Sequence, residues 1–600
     1  MTATMTGRIR PDGRAKVTGA GRYTADLRVA GMAHAAFRYA GVPHARIARL
    51  DTTAARALPG VFAVITSADV GAERFGMFVQ DRTLFADGVV RWEGEIVAAV
   101  AARTPELARR AAGLIEVDYE LLPSVVDLEA ALADGSPLVH EEWQSYTAGG
   151  DDMVRTGNEA TRCSLVKGDA AGTIAGSEIV VSSRYVADGS QPAPMEPRAI
   201  VAEWAGDEVT IHSSTQVPFA ARSHVAAALH VPEAKVRVIV PLLGGGFGGK
   251  CEPHFEAQVA ALARAAARPV RLVLSRQEEF IAPDHRRERM VMTFETAVGA
   301  DGIIQARRAR LVLENGAYSA DQPVAVQLAA HFAVGPYRVP NVEVWGHLVY
   351  TNTQPTGSVR APAAPTVCWA LEQHMDEVAE AVGLDPVEFR RRNVVRNGDE
   401  GPTHQIFESI GAAETLERAA ELIGWGRQLP DDEAIGVACG FWPSFPMPSG
   451  AYVKLNADGS GTIITGAQEN GSGAVMAMPL HAARVLGMDP SDFSIVYQDT
   501  SAGPYDAGSG GSQTTFNNGR AVVAAAGQVA QQLKVLAAAR LEAAIEDIVL
   551  AEGNASVAGS PAVSVPIAEL AAEAAGGELL IGHGSGAPPA APELQGSSCV

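Results

Sequence analysis

Sulfur, aromatic rings and positive charge are all scarce in this sequence of 600 residues. The 5 cysteines, at 163, 251, 368, 439 and 599, lie far apart with no C-x-x-C among them. That excludes a zinc site or an iron–sulfur cluster written in local spacing, and it places any redox relay on other chains. Lys and Arg number 48 against 69 Asp and Glu, a formal net charge of -21 that repels polyanions, so neither nucleic acid nor an anionic membrane surface is expected as a partner. Aromatics make up only 6%, which leaves few rings for base stacking. No uninterrupted apolar run reaches the ~18 residues of a membrane span, and MTATMTGRIRPDG contains no apolar signal-peptide core; the expected location is cytoplasmic. What remains, 47% hydrophobic and 20% charged, suits several domains with large buried cores.

Periodicity predicts an α+β chain. Residues 1–125 carry short apolar strands such as AHAAFRYA, VFAVIT and EIVAAVAA, then a helix opened by Thr104-Pro105-Glu106, a capping residue followed by proline in the first turn. They read as one compact unit. Residues 126–175 turn polar, with GGDD and GNEA, and read as a linker over the surface leading into the next unit. A second unit, 176–400, closes with EQHMDEVAEAVG and DPVEFRRRN, where Asp385-Pro386-x-Glu388 reads as a helix start. The third unit occupies 401–600.

The densest motif is LLGGGFGGKC, Leu242 to Cys251, between the apolar VRVIVPLL and the helical pattern EPHFEAQVAALARAAA. Gly244 through Gly249-Lys250 spells the P-loop G-x-x-x-x-G-K, while Gly244, Gly246 and Gly249 spell the dinucleotide fingerprint G-x-G-x-x-G. Cys251 stands where a P-loop needs a hydroxyl for magnesium. After the next strand, Ser275-Arg276 offers no carboxylate for a ribose, although Arg276 would suit a 2′-phosphate. A structural turn remains the third alternative. Two further glycine turns, QENGSG and AGSGGSQTT, also precede helical patterns, so three helix N-termini are expected to open on glycine. Backbone donors spread so widely fit one large ligand held by two domains better than a nucleotide. Cys251-x-x-His254 has metal-like spacing, but two ligands on a turn make no site.

Several stretches together, in order along nearly the whole chain, resemble the molybdenum-cofactor-binding subunit of the xanthine dehydrogenase and aldehyde oxidase family. DGRAKVTGAGRYTADLRVAGMAHAAF and VDYELLPSVVDLEAAL are similar to its hammerhead domain; HSSTQVPF, LLGGGFGGK, GSVRAPAAP and GLDPVEFRRRN to its first cofactor domain; GAQENGSG and AGSGGSQTT to its second. The resemblance implies a hammerhead over 1–125 and molybdopterin-binding domains over 176–400 and 401–600, the second incomplete. It implies a cofactor of molybdenum and molybdopterin, with the cytosine dinucleotide form as one candidate, and 2Fe-2S and FAD on partner subunits. The implied reaction hydroxylates an aldehyde or an aromatic N-heterocycle with water-derived oxygen. By resemblance, Gln216 donates from its amide to the apical oxo group of molybdenum, while Gly246, Phe247 and Gly248 form a wall with exposed backbone. Arg360 lies on a loop whose backbone supports the cofactor, Gly471, Ser472 and Gly473 form a second turn, and Gly511 and Ser512 contact the pterin.

Departures from the family pattern shape the remaining expectations. Cys251 replaces the glutamate of purine-oxidising members, and Val359 and Pro362 replace ring-sandwiching aromatics, so these three residues are expected in a substrate pocket not built for xanthine. Ala361 takes the place of the copper-binding cysteine of carbon monoxide dehydrogenases, with Cys368 coming later. Ser472 stands where the family turn has glutamine. No motif like GVGE, which holds the family's catalytic glutamate, occurs in these residues, so the base is expected downstream, on a longer chain or on a separate fragment of the molybdenum subunit; Glu252 and Glu469 do not match its position. Alternatives to the hydroxylase are a carbon monoxide dehydrogenase-like subunit, an NADP- or ATP-binding enzyme, and a non-catalytic cofactor-binding protein.

Overall fold

In the computed structural model, which describes residues 10–586 apart from 150–152, 154, 284, 444–445 and 578, strands of the first two units share one sheet. Cys599, the start of the chain and most of GGDD fall outside the described residues. The seven strands run in the order Val236–Ile239, Glu208–Ser213, Ala199–Ala205, Val270–Val273, Ala33–Tyr39, Ile96–Ala102 and Val61–Ile65. Ala33 pairs in parallel with Val270, while Ala35 pairs antiparallel with Ala101. The first unit therefore does not close on itself. Its strand IVAAVAA is buried at every position because successive side chains enter different cores. Ala99 and Ala101 pack in the cluster of Val259 and Leu262, on the helix Glu256–Ala266, whereas Ala98 and Val100 pack in that of Ala108 and Ala111, on the helix Pro105–Gly113. Thr104 caps that second helix by accepting from the Leu107 N–H, with Pro105 in the first turn.

A five-stranded sheet supports the middle of the chain, in the order Glu159–Lys167, Asn341–Tyr350, Ile304–Gly316, Met290–Val298 and Val180–Ala187. The helices Gln322–Val334 and Ala364–Ala381 cover one face around Phe294, Leu311, Phe332 and Val344. Residues 126–175 are more than a linker. Glu159–Lys167 is the edge strand of this sheet, and the polar Asn158 just before it is buried: it accepts from the Val139 N–H and donates to the carbonyls of Ala131 and Pro137. Polarity looked like solvent exposure because sequence cannot show that a buried amide has its partners. Asp385 accepts from Val387 and Glu388 N–H and opens the helix Pro386–Asn393 as its motif requires.

The third unit has a four-stranded sheet, Phe493–Val496, Gly461–Thr465, Gly450–Leu455 and Ile581–Ser585, packed against the helices Met478–Leu486 and Thr514–Leu541. By length and composition Thr514–Leu541 is apolar enough to cross a membrane. Here it is a core helix, burying Ala521, Val522, Ala525, Val529 and Leu533 together with Asn517 and Asn518. Asn518 donates to Thr465 Oγ1 and Ser449 Oγ and so locks the helix to its sheet.

Candidate functional site

Where loops of the second and third units meet lies a cavity of about 2290 Å3. Its wall takes in Gln216, Phe247, Gly248, Cys251, Arg360 and Pro362 from one side, and Gly471–Gly473 and Ser509–Thr515 from the other. The glycine turn bends sharply because Gly245, Phe247 and Gly248 all adopt positive φ, at 90°, 56° and 92°. For phenylalanine this conformation is costly, and a bond to the neighbouring loop holds it: the Arg360 N–H donates to the Phe247 carbonyl at 2.7 Å. A Cβ at Gly248 would overlap the Ser358 carbonyl, so only glycine lets these two loops touch. Arg287 secures the second loop from behind by donating to the carbonyls of Val359, Arg360 and Ala361.

Gln216 joins both units. Only 2% exposed, it accepts from the Gly248 N–H at 3.1 Å through Oε1 and donates from Nε2 to the Ser509 carbonyl at 2.5 Å. An amide nitrogen has a second N–H, which leaves one donor for a ligand in the cavity. Two expected residues lie elsewhere. Gly246 does not line the cavity; a Cβ there would overlap the Gln216 side chain, so its lack of a side chain makes room for that amide rather than for metal oxygens. Val359 is buried behind the second loop and is no part of the cavity wall, whereas Pro362 and Cys251 are.

Lys250 decides against a P-loop. It is 1% exposed and donates to Glu196 twice, to the carbonyl at 2.9 Å and to Oε2 at 3.1 Å, so its charge is neutralised below the loop. The same Oε2 accepts from the Gly244 N–H at 2.7 Å, filling the nest that a phosphate would need. Arg276 spends its guanidinium on the carbonyls of Pro194 and Met195, away from any 2′-phosphate. The following helix begins only at Glu256, whose own carboxylate accepts from the N–H groups of His254 and Phe255. Its N-terminus therefore does not face the cavity. Cys251 and His254 also diverge, with Cys251 Sγ 3.4 Å from the Ser509 carbonyl and the His254 ring against Arg198 and the Gly249 carbonyl.

In the second turn the chain supplies its own anion. Glu469 Oε1 accepts from the N–H groups of Gly471 and Gly473 at 2.7 and 2.9 Å, Oε2 accepts from Val475, and Arg10 pairs with the carboxylate at 3.0 Å. These donors are committed. Gly471, Ser472 and Gly473 line the cavity, but Ser472 Oγ accepts from the Ala474 N–H. The third turn opens a helix directly onto the cavity: Gly511 and Ser512 sit at φ 59° and 62°, and Gln513, Thr514 and Thr515 of the next turn line the wall. First-turn N–H groups lack intrahelical partners and favour an anion there.

Among the lining residues that no sequence motif pointed to, two adjoin the predicted ones. Trp442 donates from Nε1 to the Gly511 carbonyl at 3.1 Å, and Asp321 stands beside Cys251 at the start of the helix Gln322–Val334. Asp-Gln-Pro could be recognised as a helix start, but no local signal points it at a cavity. Burial, reinforced by Asp321 and Glu252, holds the Cys251 thiol well above its usual range, so it is a neutral group. Burial likewise pushes the Glu252 carboxyl up to about 8, again with Asp321 adding; Glu252 lies behind the cavity wall rather than on it.

These residues leave room for a bulky cofactor, with the Gln216 amide and the first-turn N–H groups of Thr514–Leu541 as donors to its acceptor atoms. Volume and shape allow it, since the cavity far exceeds the 300–1,000 Å3 of ordinary ligand pockets. At Gly471 a Cβ would meet no protein atom within 4 Å, so the wall leaves open space there.

Comparison with known proteins agrees along the whole chain. Residues 18–123 match the model of the aldehyde oxidase and xanthine dehydrogenase a/b hammerhead domain, and 154–394 and 405–594 match two models of a molybdopterin cofactor-binding domain. A probable xanthine dehydrogenase component of Bacillus subtilis is 32% identical, over 85% of this chain and 68% of that protein. The nicotinate dehydrogenase large molybdopterin subunit of Eubacterium barkeri is 34% identical over 69% of this chain and 95% of its own length. Among solved structures, quinoline 2-oxidoreductase from Pseudomonas putida 86 superimposes with a TM-score of 0.88 at 30% identity, covering 97% of this chain and 78% of that one.

Proposed function

Because the chain belongs to the molybdenum-binding large subunits of the xanthine dehydrogenase and aldehyde oxidoreductase family, and so is a molybdenum-dependent oxidoreductase, we propose that it hydroxylates an aromatic N-heterocycle or an aldehyde. We further propose that electrons pass to iron–sulfur and flavin partner subunits, and that the pterin carries a cytosine nucleotide. The cavity supports the nucleotide form, because its volume of about 2290 Å3, lined by Cys251, Arg10 and Phe493–Ile495 among others, leaves room for a dinucleotide. Nicotinate and quinoline, named for two relatives, are both aromatic N-heterocycles.

The observation that carries this reading is the position of Gln216. Its amide bonds the glycine loop of one cofactor domain to the Ser509 loop of the other, and its remaining N–H is available where both loops face the cavity. When bound, the molybdenum cofactor supplies the two-electron oxidation and the water-derived oxygen. The chain's own residues orient and enclose. Phe247 and Trp442 wall the cavity, the neutral Cys251 thiol, its S–H turned to the Ser509 carbonyl, presents soft uncharged sulfur to a ring edge, and the clamped loop around Arg360 and Pro362 sets the width of the substrate end. Glu469 is consumed by its own turn and Glu252 is walled off, so neither is assigned as the base.

The nucleotide-binding alternative loses its support once Lys250 is paired with Glu196. The carbon monoxide dehydrogenase alternative is weakened at its copper alone, since Ala361 rather than a cysteine lines the cavity there and Cys368 does not line it. The test is metal and cofactor analysis of the chain purified with co-expressed partners, followed by turnover of pyridines, quinolines and aldehydes with a dye acceptor. Molybdenum and pterin with turnover establish the hydroxylase. Cofactor without turnover of any of these compounds favours a non-catalytic protein, and neither metal nor pterin overturns the reading.

A further inference from the structure

Three carboxylates line the cavity, Asp12, Asp321 and Asp489. Two are committed within the protein: Asp12 pairs with Arg10 and Lys16, and Asp489 caps a turn by accepting from the Ser491 N–H at 2.8 Å. Asp321 differs. Its Oδ1 accepts from the Ser358 N–H at 2.8 Å, and among the described residues no Lys or Arg nitrogen lies within 4 Å of it. The one basic neighbour is the His285 ring, 3.6 Å away and fully buried, which burial holds down to about 4 and therefore neutral at pH 7. Behind the wall stands another acid, Glu252, and the nearest guanidiniums on that side, Arg82 and Arg198, act on Glu252 and His285 without reaching Asp321 within 4 Å. On the cavity side the neighbours are apolar: Val324 and Leu328, at i+3 and i+7 from Asp321, lie on the same helix face and line the cavity with it, next to Cys251.

A carboxylate held by one backbone donor, on an apolar wall, with no cation in contact, is an electrostatic cost unless a ligand brings the opposite charge. We infer that Asp321 is a specificity determinant that binds a cationic nitrogen of the substrate, so that the preferred substrates are aromatic N-heterocycles bearing a protonated amine. The inference rests on the proposed hydroxylase reading and narrows its substrate class. It also changes what Cys251 implies: the acid missing at that position is supplied from the neighbouring helix, aimed at a cation rather than at a neutral purine edge.

The experiment uses the holoenzyme with its partner subunits, a dye acceptor, and three pyridines of similar size. These are 3-(dimethylaminomethyl)pyridine, a cation; 3-isobutylpyridine, its neutral isostere; and nicotinate, an anion. The cation should show a kcat/KM about 10- to 100-fold above its isostere, ~1.4–2.8 kcal/mol, carried mainly by KM. Asp321→Asn keeps an oxygen for the Ser358 N–H, and it should bring that ratio to about 1. Equilibrium dialysis of the cationic pyridine against both enzymes reads binding whether or not turnover occurs. Binding that Asp321→Asn weakens at least 10-fold supports the site even if no pyridine is hydroxylated, an outcome that would count against the hydroxylase reading alone. Equal affinity for cation and isostere, or an equal loss of turnover on both in Asp321→Asn, overturns the inference.

Discussion

Replacing Lys250 by methionine separates the two meanings of G-x-x-x-x-G-K. If the lysine served a phosphate, it could be removed with little effect on stability. In this structure it is 1% exposed and 3.1 Å from Glu196 Oε2, a gross attraction of roughly 5 kcal/mol at an effective dielectric of about 20. Burial pushes the ammonium down and Glu196 pulls it back, so much of that attraction offsets desolvation rather than adding net stability. Losing one partner is different. Lys250→Met keeps the aliphatic stem but leaves the Glu196 carboxylate with only the Gly244 N–H, and should cost about 3–5 kcal/mol. Because Phe247 and Gly248 hang on this loop, molybdenum content should fall with stability. Glu196→Gln in the same chain removes the stranded charge, and the double variant should recover at least ~2 kcal/mol relative to the sum of the singles. Urea unfolding followed by near-ultraviolet circular dichroism, with metal analysis of each variant, measures both effects. A Lys250→Met protein within ~0.5 kcal/mol of the parent, or one that loses a measurable affinity for ATP or NADPH, would refute the argument and restore the phosphate loop.

Three further outcomes follow from named contacts. Gln216→Ala strands the Gly248 N–H and leaves the Ser509 carbonyl with only the weak Cys251 thiol donor, about 1–3 kcal/mol of coupling between the two cofactor domains, and should lower molybdenum content and turnover; a variant with full metal and full activity contradicts the role given to this amide. Glu252 is raised to about 8 in the fold against 4.5 ordinarily, so between these values the folded chain binds the extra proton and stability falls as pH rises. Glu252→Gln escapes that penalty, and its advantage should grow by roughly 1.4 kcal/mol per pH unit from about pH 5 to 8 and then level off; a pH-independent difference in urea unfolding would show that the carboxyl is not held neutral. Cys251→Ser and Cys251→Ala should change the ranking of neutral heterocycles by kcat/KM, and an unchanged ranking would make the thiol a packing residue only.

The local signals proved trustworthy wherever the physics was local. Thr104 and Asp385 cap the helices their motifs announce, because a side-chain oxygen reaching N–H groups two or three residues on needs nothing from the rest of the chain. Chemistry carried by ordered motifs was legible too: STQ, GGGFGGK, SVRAP, ENGSG and SGGSQ stand far apart in sequence, yet all contribute to one cavity wall. What sequence could not decide was which way a group faces and what neutralises it. Lys250 and Gly471 read as donors toward a ligand until Glu196 and Glu469 proved to take those donors. Gly246 yields to Gln216 instead of a metal, and Val359 turns behind the wall that Pro362 lines. Asn158, just before Glu159, is buried because it finds all its partners, and IVAAVAA bridges two units because both of its faces find cores. Asp321 became visible only in three dimensions. Composition sets how many charges a chain carries, but whether one of them is paired, buried or presented to a substrate depends on distances between residues far apart in sequence, and those exist only once the chain is folded.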